Sequence, residues 1–161
     1  ETNVLTGLLG HVPRWRGTFG LFLRSERLRA LNALDRVGIL AQSRQRASTL
    51  SGGQQQRAAI ARVLVQNADI ILADEPVASL DPAAADRVMQ TLERINNEDG
   101  STVLVSLHQI EYALKYCGRI IALKDGKLIF DGTASETTPE FFTELYGRSI
   151  DGDEDHQAQH R

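Results

Sequence analysis

Ile70-Ile71-Leu72-Ala73-Asp74-Glu75-Pro76-Val77-Ala78-Ser79-Leu80-Asp81-Pro82 is the stretch whose reading decides the fold. Its first four residues form an unbroken apolar run that stops at two acids and a proline, the pattern of a parallel strand buried on both faces and ending at a polar edge. Asp81 then reads as a helix N-cap, with Pro82 at the first helical position and Ala85, Val88, Met89, Leu92 and Ile95 along one face. Gly100 closes that helix. The run from Thr102 to Leu107 predicts a second buried strand, finishing in the polar residue His108. A strand, a helix and a strand in this order imply an α/β layered fold with a largely parallel sheet, and polar residues at the carboxyl ends of its strands form the site.

Working outward, Glu1 to about Phe22 is rich in glycine and predicts short irregular or helical pieces. Ser25 to Val37 carries Leu28, Leu31 and Leu34 beside Ala30 and Ala33, a helical stripe that Gly38 is placed to end. A further helix is expected from Gly52 to about Gln66, with Ile60, Val63 and Leu64 buried. Downstream, Ile110, Ala113, Leu114 and Cys117 recur at i, i+3, i+4 and i+7, which makes Cys117 a core residue of another helix. Asp125-Gly126 between two apolar runs predicts a β-hairpin. A last short helix is expected after Thr138-Pro139, with Phe141, Phe142 and Leu145 inward, and residues 151–161 form a polar tail.

The 161 residues are about one domain's worth of chain, with apolar and charged fractions of 42% and 24%, near those of ordinary globular proteins. Eighteen basic against twenty-one acidic side chains give a net charge of −3, which argues against nucleic acid as a partner. One cysteine makes no internal disulfide. No apolar run reaches the roughly 18 residues needed to span a bilayer, and the start lacks a signal-peptide pattern.

Three groups of residues have the chemistry of a site. Leu50-Ser51-Gly52-Gly53-Gln54 opens a helix, and Ser51 with Gln54 is sufficient as a capping box with no further role. Two glycines in a first turn, however, cost about 1 kcal/mol each relative to alanine, and a cap does not require them. A phosphate would explain them, since bare N–H groups at a helix start approach an anion closely. Asp74 and Glu75 emerge from an apolar run, where carboxylates want a cation or a donor; alternation along a strand would aim one at hydrated Mg²⁺ and the other at an attacking water. His108 alone is more simply a structural hydrogen-bonder, and Ala78 to Asp81 alone a loop ending in a cap. Their order along the chain favours a common site.

In that order the sequence resembles the ATP-binding-cassette family from about Asn3 to Gly147. Leu50 to Gln54 resembles the family's signature motif, Ile70 to Glu75 its Walker B strand, Ala78 to Asp81 its D-loop and His108 its switch histidine. Asn3 to Gly7, Trp15-Arg16, Ala73 to Pro82 and Val105 to Gln109 are similar to the ATPase subunit of bacterial phosphonate importers. The resemblance implies an incomplete parallel-sheet P-loop NTPase core: residues 1–50 from the helical subdomain, 51–150 with the signature, Walker B, D-loop and H-loop, and a carboxyl-terminal β-hairpin.

It further implies ATP and Mg²⁺ as cofactors and a head-to-tail pair of ATPase subunits. Ser51, Gly52, Gly53 and Gln54 would meet the γ-phosphate held by the other subunit, with Asp81 at the nucleotide interface. Asp74 would hold Mg²⁺ through water, Glu75 would polarise the attacking water and His108 would contact the γ-phosphate. Transmembrane permease subunits, and through them a periplasmic solute-binding protein, would be the other partners, at the cytoplasmic face of the bacterial inner membrane. Arg14, Trp15, Arg16, Phe19 and Phe22 are either permease contacts or the small subdomain's own core.

The departure is equally definite. The phosphate-binding loop G-x-x-x-x-G-K-[ST] does not occur; the one Gly-Lys pair, Gly126-Lys127, is followed by Leu128. An adenine-stacking aromatic and the glutamine loop would also lie upstream of Glu1, so the chain reads as the rear portion of a family member, inactive by itself. Alternatives are a non-catalytic remnant acting through protein contacts, the ATPase of a phosphate, phosphite or amino acid importer, and a soluble cassette ATPase serving nucleic acid or the ribosome. His156 and His160 lie in too polar a segment to be read as a metal site.

Overall fold

The computed structural model describes residues 1–138 and residue 141. It has two compact units, Glu1–Leu107 and a second that begins at His108. The helix expected after Pro139 and the tail at 151–161 lie outside the described residues.

The first unit begins with helices α1 (Thr2–Leu5) and α2 (Arg14–Thr18), followed by α3 (Arg24–Arg36), α4 (Gly52–Leu64), strand β1 (Ile70–Asp74), helix α5 (Pro82–Asp99) and strand β2 (Thr102–Ser106), with 3-10 turns between. Val4, Leu5 and Leu8 are buried where α1 packs on α3 and α4. The buried face of α3 is Ala30, Ala33, Leu34 and Val37, spaced i, i+3, i+4, i+7. Leu28, expected in that stripe, is exposed, because the buried arc is centred on the two alanines.

The end of α3 is a complete Schellman motif. Gly38 has φ +68°, the Ile39 N–H reaches the Leu34 carbonyl at 2.9 Å, and the Gly38 N–H reaches the Asp35 carbonyl at 2.8 Å. Leu34 and Ile39 are both buried, the apolar contact that accompanies this motif.

Helix α5 follows its sequence closely. Asp81 accepts a hydrogen bond from the Ala84 N–H at 2.9 Å, Pro82 occupies the first turn, and Gly100 stops the helix at φ +68°. Ala85, Val88, Met89, Leu92 and Ile95 are all buried. Burying each large side chain contributes about 1.5–3 kcal/mol against about 1 kcal/mol for the cap, so packing sets the helix's orientation and the cap sets where it starts. On α4 the most buried positions are Gly53, Ala58, Ile60 and Ala61, with Val63 and Leu64 half-buried at its edge.

β1 and β2 pair in parallel, in register from Ile70 opposite Thr102 to Asp74 opposite Ser106. Both strands were expected to be buried on both faces, and neither is. Ile71 is 6% exposed, whereas Leu72 is 74% exposed and Ile70 and Leu104 are also largely open. In this two-stranded sheet one face meets the helices, while the other carries apolar side chains into solvent.

The second unit contains α6 (Ile110–Tyr116) and the hairpin of β3 (Arg119–Lys124) and β4 (Lys127–Thr133). Asp125 and Gly126 have φ of 52° and 73°, the two left-handed residues of a type I′ turn. Ile110, Ala113, Leu114 and Cys117 pack on Ile120 and Ala122, as their spacing requires, and burial pushes the Cys117 thiol pKa up. A bulge after Ala122 shifts the hairpin register, and Arg119 grips Asp131 with two bonds of 2.7 and 2.8 Å.

Gly38→Ala forces a side chain into the left-handed region and is expected to lower stability by about 1 kcal/mol, read as a lower urea midpoint with unchanged slope.

Candidate functional site

The end of β1 is where the chain turns away from the sheet. Glu75 sits at φ +44° and Ser79 at φ +63°, conformations that cost a non-glycine residue energy and accumulate at functional turns. The strand alternation expected to separate Asp74 from Glu75 therefore does not continue through Glu75, which has left extended geometry.

Ser106, directly opposite Asp74 in the ladder, holds the turn. Its hydroxyl donates to Asp74 Oδ1 at 2.5 Å and accepts from the Glu75 N–H at 3.0 Å. One side chain thus orients the first carboxylate and anchors the backbone of the second. Sequence reasoning missed it, because β2 was expected to run on to His108. The strand stops at Ser106, so the polar residue at its end is this serine. The parallel register was the signal that could have found it.

The second cluster is the start of α4. Ser51 Oγ accepts from the Gln54 N–H at 3.4 Å and Gln54 Oε1 accepts from the Ser51 N–H at 3.0 Å, a reciprocal capping box. Gln55 Nε2 adds a bond to the Leu50 carbonyl at 3.0 Å. The two glycines differ. A Cβ on Gly53 would stand 2.9 Å from the Ala84 Cβ, so this glycine is what lets α4 pack on the first turn of α5. A Cβ on Gly52 would meet only the movable Leu80 Cδ2 at 3.2 Å, and Gly52 is exposed. Packing explains Gly53; it leaves Gly52 without a structural reason.

These contacts bring Ser51, Gly52, Gly53 and Gln54 together with the Leu80–Asp81 loop, while Asp74 and Glu75 gather at Ser106. His108 is an exposed residue of the second unit. Among the described residues no group of three or more His, Cys, Asp or Glu is placed to hold a metal. A Mg²⁺ ion shared with phosphate oxygens needs only one or two protein carboxylates, however, and Asp74, exposed and oriented by Ser106, fits that need. The exposed, glycine-opened and capped start of α4 fits a phosphate oxygen.

A family model described as "ABC transporter" matches residues 5–78. The chain is 58% identical over 149 residues to the phosphonates import ATP-binding protein PhnC 2 of Pseudomonas savastanoi pv. phaseolicola, covering 92% of this chain and 54% of that protein. It is 57% identical over 148 residues to the phosphonates import ATP-binding protein PhnC of Escherichia coli O6:K15:H31, covering 92% and 56%. The chain thus spans about half the length of these relatives. Among solved structures, CbiO1 from Clostridium perfringens, part of the ABC transporter complex CbiONQ, superposes with a TM-score of 0.66 at 31% identity, covering 83% of this chain and 51% of that one. The ATP-binding cassette MJ0796, solved as a dimer in a post-hydrolysis state with ADP and Pi, gives 0.58 at 41% identity, covering 71% and 49%.

Gly53→Ala is expected to lower stability by about 1–3 kcal/mol through overpacking against Ala84. Gly52→Ala is expected to be neutral or stabilising in the same denaturation experiment. Ser106→Ala is expected to cost about 1 kcal/mol and to speed amide exchange at Glu75, both restored by Ser106→Thr, which keeps the hydroxyl.

Proposed function

We propose, for a chain that belongs to the ABC transporter family, that it is part of the ATP-hydrolysing subunit of a bacterial importer and that the importer's cargo is a phosphonate. The carboxylate pair at the end of β1, with Ser106 gripping both members, is the observation that carries this reading. The identity to two phosphonate-import ATP-binding proteins supports the choice of cargo.

In this reading Asp74 would hold Mg²⁺ through water, and Glu75 would orient and polarise the hydrolytic water. His108 is proposed as a γ-phosphate contact by its resemblance to the family's switch histidine. Ser51, Gly52, Gly53 and Gln54 close over the nucleotide of a second subunit bound head to tail, and Asp81 shapes the loop they rest on. Phosphoryl transfer needs positioning and charge neutralisation more than covalent chemistry, so fixed N–H groups and oriented carboxylates are suitable tools. The bound nucleotide and ion would supply the reactive phosphoryl group and its charge balance.

Trp15 and Phe19, 61% and 73% exposed, face away from the core, as anchors for a permease subunit would. Arg16, by contrast, is engaged with Glu26 at 2.6 Å and with the Leu21 carbonyl at 3.0 Å, a structural use. Among the described residues no helix is long and apolar enough to cross a membrane. As part of an import ATP-binding subunit like those of the relatives, it would sit at the cytoplasmic face of the inner membrane by way of the permease, which in turn meets a periplasmic binding protein. Nucleic acid has no part in this reading.

The 161 residues contain no G-x-x-x-x-G-K-[ST] loop, so the lysine and amides that grip the terminal phosphates must come from elsewhere. Titrated with MgATP in a calorimeter, the chain alone is expected to show no micromolar binding and no phosphate release; saturable micromolar uptake overturns the division of roles. Joined to the front half of a phosphonate-import relative, it is expected to hydrolyse ATP. In that chimera Glu75→Gln should reduce turnover by about a hundredfold or more while nucleotide binding persists. Near-normal turnover would remove Glu75 from its role.

A further inference from the structure

In the first unit, the loop ending α3, one side of α4 and the middle of α5 line an open surface cavity of about 230 Å³. Arg36, Arg57, Arg87 and Arg94 line it, with Asp35 and Gln90 beside them. Four guanidinium groups meet the lining carboxylate of Asp35 and, through Arg36, those of Asp99 and Glu98, which leaves a local positive excess in a chain whose overall charge is −3.

Some of this excess has a structural use. Arg36 pairs with Asp99 at 2.9 Å and with Glu98 at 3.6 Å. Arg57 Nη1 donates to the Val37 and Gly38 carbonyls, each at 3.2 Å, and Arg94 Nη2 donates to the Arg36 carbonyl. Arg57 and Arg94 therefore cover carbonyls that the end of α3 leaves open.

Arg87 has no such use. Among the described residues its guanidinium makes neither a hydrogen bond nor an ion pair with a carboxylate. Its charge also works against Arg57, whose pKa is lowered first by burial and then by Arg87. Bringing a fourth guanidinium to this cavity is unfavourable for the empty site, and a bound anion would reverse the sign of that contribution.

We propose that this cavity binds a small multivalent oxyanion of the phosphate class. Arg87 is the principal donor, the N–H groups that Arg57 and Arg94 do not spend on carbonyls complete the shell, and Gln90 sits at the edge. The donors come from two helices, Arg57 from α4 and Arg87 and Arg94 from α5. A tetrahedral oxyanion can offer each its own oxygen, whereas a carboxylate offers two oxygens in one plane. The cavity is too small for a folded partner. None of its residues belongs to the proposed nucleotide machinery, so the two readings stand or fall separately. Once bound, the anion would link the end of α3 to α4 and α5 and stiffen the unit that carries the start of α4.

The test is titration of the 161-residue chain with inorganic phosphate and pyrophosphate, ionic strength held constant with chloride, followed by heat and by the arginine Nε–H signals in ¹⁵N NMR. Saturable binding is expected, pyrophosphate above phosphate, with selective shifts at Arg57 and Arg87. Arg87→Gln, a change at an exposed position, should weaken it about tenfold or more, while Arg14→Gln on α2 should leave it unchanged. Binding that follows ionic strength alone, or that survives Arg87→Gln intact, overturns the proposal. Absence of shifts at Arg57 and Arg87 in the unaltered chain does so without any variant.

Discussion

The in-register parallel pairing of β1 with β2 is the constraint on which the site depends. It sets Ser106 opposite Asp74, so one hydroxyl serves both an acid side chain and the backbone of the acid after it. A slip of one residue would carry Ser106 to the other side of the sheet and leave Glu75 N–H without its acceptor. That register is set in turn by α5, the crossover between the strands, whose capped start and buried stripe give it one orientation.

The same helix positions the start of α4. Gly53 lies against Ala84 in the first turn of α5, one residue class away from collision, so the two helix starts are held together by the absence of a side chain. Gly52, one residue earlier, has no comparable neighbour and opens to solvent. Two adjacent glycines thus separate into one that packing requires and one that the fold could replace. The second is where an outside ligand is the better physical explanation.

Apolar side chains of Ile70, Leu72 and Leu104 reach solvent from the sheet face opposite the helices. Four consecutive apolar residues had predicted burial on both sides of β1, and the side chains are indeed of that type. Their surroundings supply only one covering layer. Leu28 of α3 shows the smaller version of the same effect: an apolar residue at a plausible spacing, outside the arc that the neighbouring helices cover.

Local chemistry was legible from the chain alone. Asp81-Pro82 as a helix start, Gly38 and Gly100 as helix ends, Asp125-Gly126 as a tight turn, and the capping of α4 by Ser51 and Gln54 each follow from backbone preferences of a few adjacent residues, which need no distant partner. The Asp74–Glu75 pair was also legible as a candidate site from its place after an apolar run, although both residues are exposed and the cost of burying them does not arise. What only the tertiary structure decided were relations between segments far apart in the chain: Ser106 across from Asp74, Ala84 against Gly53, and arginines of α4 and α5 around one cavity. Spacing along a helix or strand says which side chains share a face, but contact between elements is set by register and packing, and those quantities come into being only when the chain closes on itself.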